Sequence, residues 1–131
     1  MNKDYIWVFS ISFLLNLCWE VSHSVLYDWT ILPLKNEFGY YVGRILFSTL
    51  GDALAILAIF LIINFIQTKF KYYIMIGLGL LYSIIIEIKA KMLNSWTYNE
   101  YMPLIFGLGL TPLIQIAITG VLTLLIIDKL K

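Results

Sequence analysis

ILFSTLGDALAILAIFLIINFIQT, residues 45–68, holds one ionisable side chain, Asp52, in a run long enough to cross the hydrocarbon core of a bilayer. Three further runs have the same character, residues 5–27, 72–93 and 102–127, and the segments between them carry most of the remaining charge. Across the 131 residues, 61% are hydrophobic and 13% charged, against roughly 25% charged in a soluble domain, so water is excluded as the main solvent. The runs predict an all-α protein, an integral membrane antiparallel four-helix bundle that forms a single transmembrane domain over residues 1–131. The turn at 68–71 is so short that helices 2 and 3 must be antiparallel neighbours.

Lys3 precedes an apolar run, as in a signal peptide, but no small-x-small cleavage site follows, so the first helix is expected to stay. Leu17 stands where lipoprotein processing at Cys18 would need a small residue. One cysteine allows no internal disulfide, and a thiol deep in an apolar helix is inert packing. Lys3, Lys69, Lys71, Lys129 and Lys131 fall on one side of the bundle; Lys35 and Arg44, joined by Lys89 and Lys91, fall on the other. The positive-inside rule then places both termini on the cytoplasmic side of the cell membrane.

The first outer connection, residues 28–44, contains Pro33, Gly39 and Gly43 and reads as a surface segment. Its Trp29, Phe38, Tyr40 and Tyr41, with Trp96, Tyr98 and Tyr101 of the second outer connection, predict an aromatic rim at headgroup level. Gly77-Leu78-Gly79-Leu80 and Gly107-Leu108-Gly109-Leu110 predict close helix packing, because small residues let backbones approach in lipid.

Each helix also carries a polar stripe. Asn16, Glu20, His23 and Tyr27 recur at i, i+4, i+7 and i+11 on one face of helix 1. Ser48 and Asp52 lie below Arg44 on helix 2, Ser83 and Glu87 below Lys91 on helix 3, and Thr111 and Gln115 on helix 4. Counted inward at 1.5 Å per residue, Glu20, Asp52 and Glu87 each lie about 10 Å from the outer ends, with Thr111 slightly deeper. Pro112 is expected to free the carbonyl of Leu108 in the same slab. The stripes predict a polar pocket in the outer half of the bilayer, with Tyr27, Trp96 and Tyr98 among its residues and the aromatic rim as its cap.

Asn16, Ser48, Ser83, Thr111 and Gln115 suffice as hydrogen-bonding glue between helices. Carboxylates are a costly way to do the same, so Glu20, Asp52 and Glu87 are the candidate catalytic acids, with His23, one turn from Glu20, as proton partner. Arg44 and Lys91 are placed to snorkel to headgroups or to hold a lipid phosphate; Lys89 points off the stripe. Glu20-Val21-Ser22-His23 has the Glu-x-x-His spacing of a metal site, but the motif occurs once where a di-iron bundle needs it twice. A single ion at Glu20, His23, Asp52 and Glu87 is the weaker alternative, and no cofactor is expected. Nothing resembles a nucleotide-binding loop or a nucleophile elbow, which excludes nucleotide and nucleic-acid partners.

Residues 16–27 (NLCWEVSHSVLY), 96–103 (WTYNEYMP) and 109–115 (GLTPLIQ) resemble a family of small prokaryotic four-helix integral membrane proteins of no assigned function. The resemblance spans most of the chain, includes Asp52 and Glu87, and implies the four-helix architecture but no activity. Membrane sterol isomerases and integral-membrane terpene cyclases are similar only in placing acids inside a helix bundle. The leading expectation is acid/base chemistry on a lipid, isoprenoid or other lipophilic small molecule, one acid staying protonated as donor while its partner near His23 accepts. The rivals are a proton- or cation-coupled transporter, in which a homodimer would supply two halves of a pathway, and a non-catalytic accessory subunit. The inner halves favour the enzyme, because residues 5–15, 56–66 and 120–127 contain no charge.

Overall fold

The computed structural model describes residues 3–31 and 37–131. Four helices, α1 (Lys3–His23), α2 (Phe38–Ile66), α3 (Lys71–Leu93) and α4 (Leu110–Leu130), each long and apolar enough to cross a membrane, pack as an all-α bundle. Contacts at the end of the bundle that holds both termini fix the directions. Tyr5 at the start of α1 meets Phe60 near the end of α2, ring centroids 6.0 Å apart. Lys71 at the start of α3 pairs with Asp128 at the end of α4 at 2.6 Å, and Tyr72 donates to the same carboxylate. Lys131 pairs with Asp4 at 2.9 Å, so the start of α1 and the end of α4 share one face.

The half of the bundle nearest the termini is an apolar core that includes Val8, Ile56, Phe60, Met75, Leu124 and Ile127. Between helices in a bilayer such contacts would stabilise through close packing rather than through release of water, which makes small residues valuable. A Cβ on Gly79 would stand 3.0 Å from the backbone nitrogen of Ala117, so α3 and α4 approach as closely as backbones allow. Gly77, expected to act likewise, has nothing within 4 Å of that position. The α2–α3 pairing is looser than α1–α2 or α3–α4.

Two helix starts lie far from the sequence reading. Helix 2 begins at Phe38, not Ile45, so Phe38, Tyr40 and Tyr41 are helical. Gly39 and Gly43 suggested a turn, but neither is close to another element, and the helix is held at this end by Tyr41, whose ring lies 4.7 Å from Trp29 and whose hydroxyl is 2.7 Å from Ser24 Oγ. Pro33 and Lys35 lie outside the described residues, as does the side chain of Lys3.

Helix 4 begins at Leu110, not Met102. Leu104–Ile105 and Leu108–Gly109 form an antiparallel hairpin in the register Leu104↔Gly109, Ile105↔Leu108, turning through Phe106 (φ 51°) and Gly107 (φ 76°). Two consecutive positive φ values are what a two-residue hairpin turn needs, and an apolar composition does not distinguish it from helix. Gly107 and Gly109 thus serve the hairpin and not a helix interface: a Cβ on Gly107 would fall 2.6 Å from Lys91 Nζ, and one on Gly109 would meet the Tyr98 ring at 2.8 Å. Pro112 consequently lies in the first turn of α4, where its missing N–H removes no intrahelical bond. The expected free carbonyl at Leu108 does not arise from it.

Candidate functional site

α1 ends where its stripe meets the other helices. His23 is the last α-helical residue, a 3₁₀ turn follows over Ser24–Leu26, and Tyr27 is extended (φ −88°, ψ 152°). Tyr27 therefore reaches the site by a different route from the helical i+11 position expected of it. It bridges to Tyr98, while Asp28 N–H donates to Thr97 O (2.8 Å) and Asn99 N–H to Leu26 O (2.9 Å). These bonds join the two outer connections into one cover. The Tyr27 ring lies tilted at 5.1 Å from that of Tyr98 and edge-to-face with Trp96 at 6.2 Å and His23 at 5.3 Å.

Beneath the cover, Gln115 of α4 gathers α1 and α2. Its amide nitrogen lies 2.7 Å from Asp52 Oδ2, 2.9 Å from Glu20 Oε1 and 3.1 Å from Asn16 Oδ1. Three acceptors around one end of the amide identify that end as NH₂, which has only two protons to give. Glu20 Oε2 is met by His23 Nε2 at 3.3 Å, and the other ring nitrogen lies 3.1 Å from Thr111 Oγ1. Asn16 is held in turn, donating to Ser12 O (2.8 Å), and its Oδ1 lies 3.1 Å from Thr119 Oγ1.

Glu87 is engaged differently. Tyr98 OH donates to Oε1 at 2.6 Å, Gly109 N–H donates to Oε2 at 3.0 Å, and Trp96 Nε1 donates to the Tyr98 oxygen at 2.8 Å. Burial, helped by the neighbouring Tyr27 and Glu87, pushes the Tyr98 hydroxyl far above the usual tyrosine range, so it remains a neutral donor. This carboxylate ties α3 to the cover and to the hairpin.

A cavity of about 320 Å³ runs between these groups. Of the residues named from the sequence, Glu20, Asp52, Glu87, Tyr27, Arg44, Ser48, Ser83, Trp96 and Gln115 line it. Tyr98 and Lys91, with Glu87 and Trp96, line a smaller one of about 160 Å³. His23, Asn16 and Thr111 stand behind the wall, committed to the hydrogen bonds above. All three acids line the cavity; Glu20 (8% exposed) and Glu87 (3%) are buried and Asp52 is half-buried. Ser83 Oγ, on the wall at 4% exposure, has no hydrogen-bond partner among the described residues.

The rim lies between α2 and α3, where exposed Phe47 and Lys89 stand with Gly51 and Ile86. Nothing lies within 4 Å of a Cβ built on Gly51, so the missing side chain leaves the gap open. Lys89, set aside on stripe geometry, reaches this rim because a cavity mouth is wider than one helical stripe. Trp29 and Ser95 also line it from the connections, where helical periodicity gives no signal; Ser24 could have been found from its i+4 spacing to Glu20. Among the described residues no group of three or more His, Cys, Asp or Glu side chains is placed to hold a metal ion.

No family model, curated protein or solved structure matches this chain.

Proposed function

We propose that the protein is a multi-pass membrane enzyme that performs acid/base chemistry on a lipophilic substrate entering sideways from the bilayer, with both chain termini on the cytoplasmic side. The observation that carries the reading is the convergence of Glu20 and Asp52 on the single amide nitrogen of Gln115 at the wall of a cavity. Two carboxyl groups sharing too few donors are arranged to hold one proton between them, the split that lets one act as acid while the other accepts. Asp52 is the group that meets substrate. Glu20 is its proton partner, His23 orients Glu20, and Glu87 holds the cover in place. The chemistry needs substrate within hydrogen-bond reach of Asp52, and the Gly51 gap gives a lipid chain that access.

Transport by the same carboxylates is less well supported. Below Gln115 the hydroxyls of Thr119 and Thr123 donate to backbone carbonyls of their own helix, at 2.8 and 2.7 Å, so their protons are committed, and the core beyond is apolar. The test compares membrane lipids from cells with the gene, without it, and with Glu20→Gln or Asp52→Asn. The reading expects a lipid species that changes on deletion and is restored by the wild type alone, although both variants accumulate in the membrane. No lipid change, with proton or cation flux in proteoliposomes that depends on Glu20, would replace the enzyme with the transporter.

A further inference from the structure

The cavity rim holds two cations that acid/base chemistry does not require. Arg44 and Lys89 both line it, and neither pairs with a described carboxylate. The guanidinium of Arg44 lies 5.8 Å from the centroid of the Trp96 ring, a cation–π contact that steadies it at the outer end and leaves its donors available. Asp52 is eight residues further along α2, about 12 Å deeper at 1.5 Å per residue. The cavity is therefore graded, with positive charge at the mouth, the unpartnered Ser83 hydroxyl and the half-buried Asp52 below.

That gradient selects its occupant. An anion is attracted at the rim and repelled by Glu20, Asp52 and Glu87 beneath, so a charged head stops at the mouth and only uncharged matter goes further. Planar guanidinium suits the oxygens of a phosphate group, which it can bind with two parallel N–H donors. At about 320 Å³ the cavity is at the small end of ligand pockets. It accommodates a headgroup region and the first part of a chain, and the remainder must stay in the bilayer past Gly51 and Phe47.

We propose that the occupant is a lipid with a phosphate-type headgroup, its anionic head on Arg44 and Lys89 and the uncharged segment next to it lying along Ser83 and Asp52. This rests on the reading that the cavity takes a lipophilic substrate, and it adds that reaction occurs on the chain segment beside the headgroup, not at phosphorus.

The test measures binding to the purified protein in dodecyl maltoside micelles, which hold no phosphate, followed by Trp96 fluorescence with Trp96→Phe as the blank. Dodecyl phosphate, dodecanol and inorganic phosphate are the probes. Dodecyl phosphate should give a saturable change that weakens with added salt. Arg44→Gln should weaken it at least tenfold and Arg44→Lys less, since charge survives but the fork is lost. Lys89→Gln should have a smaller effect, and Gly51→Phe should abolish binding. Asp52→Asn should bind as well as the wild type or better, which separates this proposal from the chemistry: tight binding to Asp52→Asn with no lipid conversion by the wild type would sink the enzyme and keep the ligand. Equal binding of dodecanol would overturn the anionic head, equal binding of inorganic phosphate would overturn the lipid, and indifference to both Arg44 variants would overturn the site.

Discussion

Replacing Gln115 by Leu removes the one donor group that Glu20, Asp52 and Asn16 share, at 2.9, 2.7 and 3.1 Å. An amide nitrogen has two protons, so at most two full hydrogen bonds are lost. In water-soluble proteins, bonds to charged groups are worth about 1.5–3 kcal/mol each. Between helices in a membrane the measured average is nearer ~0.6 and the maximum ~1.7, because the separated helices find other partners. Two bonds close to that maximum, with Glu20 at 8% exposure and the half-buried Asp52 as carboxylate acceptors, place the expected loss at about 2–3 kcal/mol. Unfolding of the reconstituted protein in mixed SDS micelles would measure it. A double-mutant cycle with Asp52→Asn should give a coupling of about 1 kcal/mol or more, as for residues in one network. A loss below about 0.5 kcal/mol with additive behaviour would refute the convergence on Gln115.

Gly79→Ala drives a methyl into the Ala117 backbone 3.0 Å away and should destabilise by about 1–3 kcal/mol, whereas Gly51→Ala, facing open space in a helix interior, should stabilise by about 0.5–1 kcal/mol in the same assay. Burial and the carboxylates nearby push the hydroxyls of Tyr27 and Tyr98 above the ordinary tyrosine range, so the folded state retains protons that the unfolded state releases. Their contribution is complete below about pH 10 and is lost as pH rises beyond it; tyrosinate absorbance should show these two ionising only with unfolding, and early ionisation of either would contradict their burial. Cysteines introduced next to each terminus should be labelled only by membrane-permeant reagents on intact cells, and labelling of both by impermeant reagents would reverse the orientation.

The four-helix architecture was legible because a bilayer imposes a length and a composition on each span, and residues 45–68 meet both with only Asp52 charged. The convergence of Glu20, Asp52 and Gln115 was legible as stripes, since 3.6-residue periodicity fixes which side chains share a face. Three kinds of information were not in the periodicity. Tyr27 leaves the helix before its turn of the stripe, because the 3₁₀ turn at Ser24 redirects the chain toward Tyr98. Met102–Gly109 is as apolar as helix, and only the paired positive φ values at Phe106 and Gly107 make it a hairpin. How each acid is engaged depends on partners from the connections: Tyr98 and Gly109 donate to Glu87, whereas Glu20 and Asp52 meet at Gln115.

The most direct test uses purified protein reconstituted into vesicles of total membrane lipid from cells lacking the gene, with lipid composition followed by mass spectrometry over time. Wild-type protein should convert one lipid species into another; Asp52→Asn should not, and Gly51→Phe should not, although both fold as judged by unfolding in SDS micelles. Conversion by Asp52→Asn at the wild-type rate, or no conversion by any of the three, would contradict an acid/base site open to the bilayer.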